Sequence, residues 1–147
     1  MSRIFRISDA VSLAIHAMML LAVTNAKEPI SVAHMSERLG VSRAHLAKVF
    51  QRLAKAGLVH STRGPQGGFV LSRPAQSIFL SEIYEIIEGP IQAVECLLGH
   101  PVCNDKCCVL GGLLSSIHHQ VHDYFTGTRL SEEIGRASCR ERVSSPV

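Results

Sequence analysis

Residues 31–74 read SVAHMSERLGVSRAHLAKVFQRLAKAGLVHSTRGPQGGFVLSRP, two short amphipathic segments followed by a glycine-rich turn between β-prone runs. Ser31 can cap a helix by accepting from the free amides of its first turn, and Gly40 can end it in the left-handed conformation at little cost. Ser42 then caps a second helix, in which Leu46, Val49, Phe50 and Leu53 recur at three- and four-residue steps until Gly57. The opposite face carries His45, Lys48, Arg52 and Lys55, with Arg43 at its exposed start. A charged face of that kind is ordinary on a solvated helix, and alone it argues little. The residues beyond Gly57 change the balance. Residues 58–60 and 69–71 are short β-prone runs, and residues 62–68, TRGPQGG, make a hairpin tip, with Pro65 fixing φ and Gly64, Gly67 and Gly68 permitting positive φ. Arg63 rides on that tip, where a cation suits a phosphate or the minor groove. A helix of this width fits the major groove, in which Arg and Lys reach guanine acceptors or flanking phosphates. Helix, turn, helix and hairpin in this order predict a mainly α fold with a small β-hairpin wing. The expected contacts to double-stranded DNA are Ser42, Arg43, His45, Lys48, Arg52 and Lys55 from the helix, and Arg63, Gly64, Gly67 and Gly68 from the wing.

The formal net charge of +3 conceals a division along the chain. Residues 1–75 carry ten Lys and Arg against three Asp and Glu, giving +7, whereas residues 76–134 carry two against eight, giving −6. The basic half coincides with the expected DNA reader, and the acidic half is expected to face away from phosphate. With 147 residues, 46% of them hydrophobic, the chain has room for one small head and a dimerising appendage. We divide it into a winged helix-turn-helix domain over 1–90, a cysteine loop with a dimerisation helix over 91–134, and a tail over 135–147. That tail has no helical or strand period and resembles a translated cloning scar, so neither it nor Cys139 is assigned a functional role. Arg3 and Arg6 lead at once into Ser8 and Asp9, unlike a secretory signal, and the apolar run from Ala17 to Val23 is too short to span a bilayer. A cytoplasmic protein without a membrane segment is expected. In that compartment clustered cysteines bind metal or act in redox chemistry more often than they form structural disulfides.

Around the DNA reader the pattern predicts three more helices. Residues 9–24, capped by Ser8, carry Val11, Ile15, Met18 and Ala22 on one stripe, with Asn25 as the stop and Asp9 complementing the dipole of the first turn. Residues 81–88 place Ile83, Ile86 and Ile87 inward and Glu82, Glu85 and Glu88 outward, until Gly89 and Pro90 end the helix. Residues 91–106 read as a loop. From about residue 107 to residue 125 a longer helix bears Leu110, Leu113, Leu114, Ile117, Val121, Tyr124 and Phe125 on a broad stripe that a small head cannot cover, so the same helix of a second subunit is the expected partner. A homodimer would carry two reading helices about one duplex turn apart, matching a pseudo-palindromic operator. His118, His119 and His122 on that helix read as solvated side chains, although the first and last have the spacing of a two-histidine metal site.

Cys96, Cys103, Cys107 and Cys108 crowd into thirteen residues of loop and helix start. Thiolates are soft ligands, suited to iron-sulfur clusters, zinc or copper(I). Zinc stays open because Cys103 and Cys107 have a usable spacing, and so does a metal-free thiol switch at Cys108. No acid/base pair, nucleophile triad or phosphate loop points to an enzyme, since the glycines at 64–68 lack the Lys and the helix of a P-loop. A redox or metal-carrying protein on the same scaffold, or an adaptor that uses the charged helix on another protein, are the rival readings.

The strings GLVHSTRGPQGGFVL at 57–71 and LAKVFQRL at 46–53 resemble the signature of the BadM/Rrf-two family of winged-helix bacterial transcription regulators, the IscR- and NsrR-like proteins, over roughly residues 1–130. The resemblance implies a transcription regulator that senses iron-sulfur status, redox state or nitric oxide through a 2Fe-2S or 4Fe-4S cluster held by three loop cysteines. Cys96, Cys103 and Cys108 match best, because CVL at 108–110 enters the helix. Gly111 stands where IscR-like members place a histidine ligand, so the NsrR-like branch, whose aspartate is donated by the partner subunit, makes Asp9 the fourth ligand, with His100 or Cys107 as alternates.

Overall fold

The computed structural model describes residues 5–24, 28–98, 100 and 108–132. Three serines open three helices. Ser8 Oγ accepts the Val11 amide at 3.3 Å, Ser31 Oγ the His34 amide at 3.1 Å, and Ser42 Oγ the His45 amide at 3.4 Å. Each satisfies a first-turn donor that the helix itself leaves unpaired, and together they start α1 (Asp9–Val23), α2 (Val32–Leu39) and α3 (Arg43–Lys55). Gly40 closes α2 at φ 65°, so the chain reverses into α3 within three residues. β1 (Val59–Thr62) and β2 (Gly68–Leu71) pair antiparallel with Val59 opposite Leu71 and Thr62 opposite Gly68. After a 3-10 turn at Ala75–Ser77 come α4 (Leu80–Glu88) and α5 (Gly111–Gly127).

The hairpin has a third rung that the sequence pattern does not announce. Ile30, just ahead of α2, donates its amide to the Phe69 carbonyl at 3.1 Å and accepts the Phe69 amide at 2.9 Å. The wing is thereby sewn to the helix-turn-helix, and the ring of Phe69 rests 4.7 Å from that of the fully buried Phe50 of α3.

Helix α1 lies against α2, α3, α4 and β2, and this breadth of contact corrects its expected stripe. Val11 and Met18 are buried as expected, but Leu13, Ala14, Ala17 and Leu21 join them, while Ile15 and Ala22 stay half-buried. Asn25 lies outside the described residues, and the helix is capped by Thr24, whose hydroxyl returns to the Leu20 carbonyl at 2.9 Å. In α4, Tyr84 takes the inner place expected of Ile86, stacking on Phe5 at 5.1 Å and meeting Phe125 edge-on at 5.5 Å. Glu82 is not a solvated outer residue. Its Oε2 accepts the Phe79 amide at 2.9 Å and its Oε1 receives Arg73 at 2.5 Å, which caps α4 and fixes the chain after the wing.

Helix α5 begins at Gly111 rather than near residue 107, with Cys108 in the preceding turn, where its carbonyl accepts the Gly111 amide at 3.2 Å. Its far end is tied down. Leu80 donates to the Thr128 carbonyl at 3.0 Å, Leu130 donates to the Ile78 carbonyl at 2.8 Å, and the Leu130 side chain is fully buried. Residues 133–147, with Cys139, lie outside the described residues.

Candidate nucleic-acid interface and cysteine loop

Successive residues of a helix are about 100° apart, so the buried row Leu46, Val49, Phe50 and Leu53 of α3 defines its opposite row as Ala44, Lys48, Gln51 and Lys55. All four are exposed, as are Ser42, Arg43 and His45 at the amino-terminal end. All six helix positions expected from the sequence are thus exposed. Gln51 is an addition: it sits between Lys48 and Lys55 on the outermost line and carries the amide that pairs bidentately with adenine. Charge does not single it out, although its place on the helical wheel does.

Arg52 is set apart from the other five by partners within the chain. Its Nη2 donates to the carbonyls of Ile86 at 2.9 Å and Ile87 at 2.8 Å, so its guanidinium is engaged on α4. On the wheel it stands about 100° from Leu53, within reach of the neighbouring helix.

The wing tip exposes Arg63, Gly64, Pro65 and Gln66. Thr62 Oγ1 accepts the Gly68 amide at 3.2 Å and closes the neck of the hairpin. Gly64 has φ 113° and is the tip glycine that needs a positive value. Gly67 and Gly68, expected to share that role, have ordinary φ and are required for space instead. A Cβ on Gly67 would lie 2.5 Å from the Thr62 carbonyl oxygen, and one on Gly68 would lie 2.3 Å from the Ile30 carbonyl, the partner in the third rung. These two glycines let the wing close on itself and on the segment before α2.

Of the expected metal ligands, Cys96 and Cys108 are half-buried free thiols, Asp9 and His100 are exposed, and Cys103 and Cys107 lie outside the described residues. Cys96 Sγ approaches the His100 carbonyl at 3.6 Å. Gly111 lies beside Cys108: a Cβ there would stand 3.4 Å from the Cys108 Cβ and 3.8 Å from its sulfur, in ordinary contact. Asp9 lines an open cleft of about 510 Å³ with Ser12, Leu13 and His16 of α1, Leu39 and Val41 before α3, and Ser42 and His45 at its start. That cleft joins the candidate fourth ligand to the amino-terminal end of the reading helix. Among the described residues, no three His, Cys, Asp or Glu side chains converge as ligands of one metal.

Of α5, Phe125 joins the core of the head and the half-buried Val121 packs against it, while Leu114 is buried outside that cluster. Leu110, Leu113 and Tyr124, 40%, 55% and 46% exposed, line one open side with the half-buried Ile117, and Val109 just before them is 97% exposed. An apolar strip of this length is the surface expected of an interface. Among the described residues, no helix is long and apolar enough to cross a membrane.

Comparison with known proteins agrees with this architecture. The Rrf2 family model, described as an iron-dependent transcriptional regulator, matches residues 7–134. The chain is 34% identical over 124 residues to IscR, an HTH-type transcriptional regulator of Escherichia coli, covering 83% of this chain and 73% of that protein. It is 30% identical over 130 residues to an HTH-type transcriptional regulator of Azotobacter vinelandii, covering 88% of this chain and 79% of the relative. Its fold superposes on CymR, the global cysteine regulator of B. subtilis, with a TM-score of 0.78 at 26% identity, covering 90% of this chain and 98% of that one. Serine-capped reading helix, glycine-shaped wing and matching family model converge on one assignment: this chain belongs to the Rrf2 family of winged-helix transcriptional regulators.

Proposed function

We propose that the protein is a homodimeric, sequence-specific DNA-binding regulator whose operator affinity follows the state of its cysteine loop. The observation that carries this reading is the open cationic face of α3, with Arg43, His45, Lys48 and Lys55 around Gln51 and Arg63 on the adjoining wing. Ser42 and Arg43 at the start of the helix address base edges and phosphate, as the leading residues of such helices do. The apolar side of α5 pairs with its copy, which sets two heads on a pseudo-palindromic duplex. In this reading residues 1–90 are the reader and residues 91–134 the sensor and dimer seam.

The donor set suits a 2Fe-2S or 4Fe-4S cluster: Cys96, Cys103 and Cys108 from one subunit, Asp9 from the other, and Cys107 or His100 as alternates. When bound, such a group supplies iron-sulfur bonds responsive to oxidants, nitric oxide and iron supply. The chain's own part is to hold three thiolates ahead of α5 and a carboxylate beside α3, so that ligation across the seam restrains one head against the other. A thiol-only switch would use the same cysteines without metal.

Binding to duplex DNA measured against salt tests the reading. A dimer engaging several phosphates loses affinity linearly on a log scale, with a slope of about −0.9 for each phosphate neutralised. A flat response would leave the adaptor reading in its place. Anaerobic reconstitution followed by visible absorption and iron and sulfide analysis tests the cofactor, and a colourless, iron-free product would favour the thiol switch.

A further inference from the structure

Helix α4 ends in a way that leaves two carbonyls without helical donors. Gly89 donates to the Glu85 carbonyl at 2.9 Å, but the next donor in line for Ile86 would be the amide of Pro90, which does not exist. Gly89 then turns the chain out at φ 90° and ψ −176°, taking the following amide away from Ile87. Arg52 of α3 fills both vacancies, donating from Nη2 to Ile86 at 2.9 Å and to Ile87 at 2.8 Å. Its positive charge also complements the negative end of the α4 dipole. From Gly89 the chain runs without regular structure to Cys96.

We propose that Arg52 is a positioning residue that couples the cysteine loop to the DNA-reading helix, by clamping α3 to the last turn of α4 from which that loop departs. The proposal rests on the sensing role given above to the loop. A pull on residues 90–96 acts on the Ile86 and Ile87 carbonyls, and through them on a side chain three residues before Lys55 and four after Lys48. The tilt of the cationic row relative to the duplex then follows the loop. The rival role for the same side chain is a phosphate contact, and the two differ in salt dependence.

The test uses the full chain, Arg52→Met and Arg52→Lys, with a duplex selected from a random pool by the unsubstituted protein as probe. Each protein is assayed in two loop states, after anaerobic reconstitution with iron and sulfide and after alkylation of its thiols with iodoacetamide. The unsubstituted chain is expected to differ by roughly tenfold or more in affinity between the states, and Arg52→Met by no more than about twofold, within the range usual for coupled sites. The salt slope of the variant should match that of the unsubstituted chain. A slope reduced by about one would make Arg52 a phosphate contact and overturn the proposal. A full ratio retained in Arg52→Met overturns the coupling while leaving the sensing role intact, whereas equal affinities in the unsubstituted chain remove both. If thermal melting shows Arg52→Met unfolded, Arg52→Lys decides: one donor and the charge remain, so the ratio should shrink in a folded protein, and an undiminished ratio overturns the proposal.

Discussion

Gly68 has no room for a side chain, because the Ile30 carbonyl lies 2.3 Å from where its Cβ would stand. Gly68→Ala must therefore push the third rung apart, and a loss of about 1–3 kcal/mol is expected from such overpacking, read as a lower denaturation midpoint. Gly112, in the first turn of α5, has nothing within 4 Å of the same point. Gly112→Ala is expected to gain about 0.4–1 kcal/mol by restricting the unfolded chain. The contrast separates glycine kept for closeness from glycine merely tolerated. On the DNA face, Lys48→Ala and Arg63→Ala should each weaken binding to all sequences and reduce the salt slope by about one. Gln51→Ala should instead alter base preference, by about 1–3 kcal/mol if its amide reads an adenine, at unchanged slope. Fluorescence anisotropy over a salt series with matched and mismatched duplexes distinguishes these outcomes.

Helix α5 is held at one end and open along one side. The hold combines the strand-like pairing of residues 78–80 with residues 128–130 and the aromatic cluster of Phe5, Tyr84 and Phe125. Burial, foremost, pushes the Tyr84 phenol above its ordinary value of 10.0; a hydrogen bond with the Arg6 backbone pulls it partly back, and the charge of Glu88 adds a smaller upward push. The sign is set by which state loses the proton first. Below about pH 10 the phenol is neutral in both states and its packing is fully kept; above it the unfolded chain ionises before the folded one, so stability falls as pH rises. Tyr84→Phe should flatten that alkaline decline, as tracked by denaturant midpoints from about pH 9 to about pH 11. Along the open side, Leu113 is 55% exposed, so Leu113→Glu should leave the head folded while placing a carboxylate in the proposed seam. Sedimentation velocity is expected to show a monomer, and an unchanged dimer would place the interface elsewhere.

Asp9 is where the proposed regulation joins the two subunits. It is exposed at the start of α1 and owes its own helix only about 0.3–1 kcal/mol of dipole complementarity. Asp9→Ala should therefore melt almost as the parent does while losing or shifting visible absorption after anaerobic reconstitution, and an unaltered spectrum would remove the cross-subunit ligand. What residue order alone determined was most of the local structure, although the start of α5 and the buried side of α1 differ from its reading. Ser8, Ser31 and Ser42 marked helix starts, Gly40 and Gly57 marked stops, the Leu46, Val49, Phe50 and Leu53 row marked the buried side of α3, and the wing lay between β-prone runs. The caps and the buried row depend on hydrogen bonds and steps of a few residues, and the hairpin on pairing across one short turn, which a sequence displays directly. The assignments that depended on distant neighbours were made by the tertiary structure: Arg52 goes to α4 across 34 residues, Gly68 meets Ile30, and Tyr84 displaces Ile86 from the interior. A charged residue on the rim of an amphipathic helix looks the same from its own sequence whether it faces a groove or a neighbouring carbonyl. Only the packing of α3 on α4 separates the two, because an orphaned carbonyl exists at that place solely once Gly89 and Pro90 have ended the facing helix.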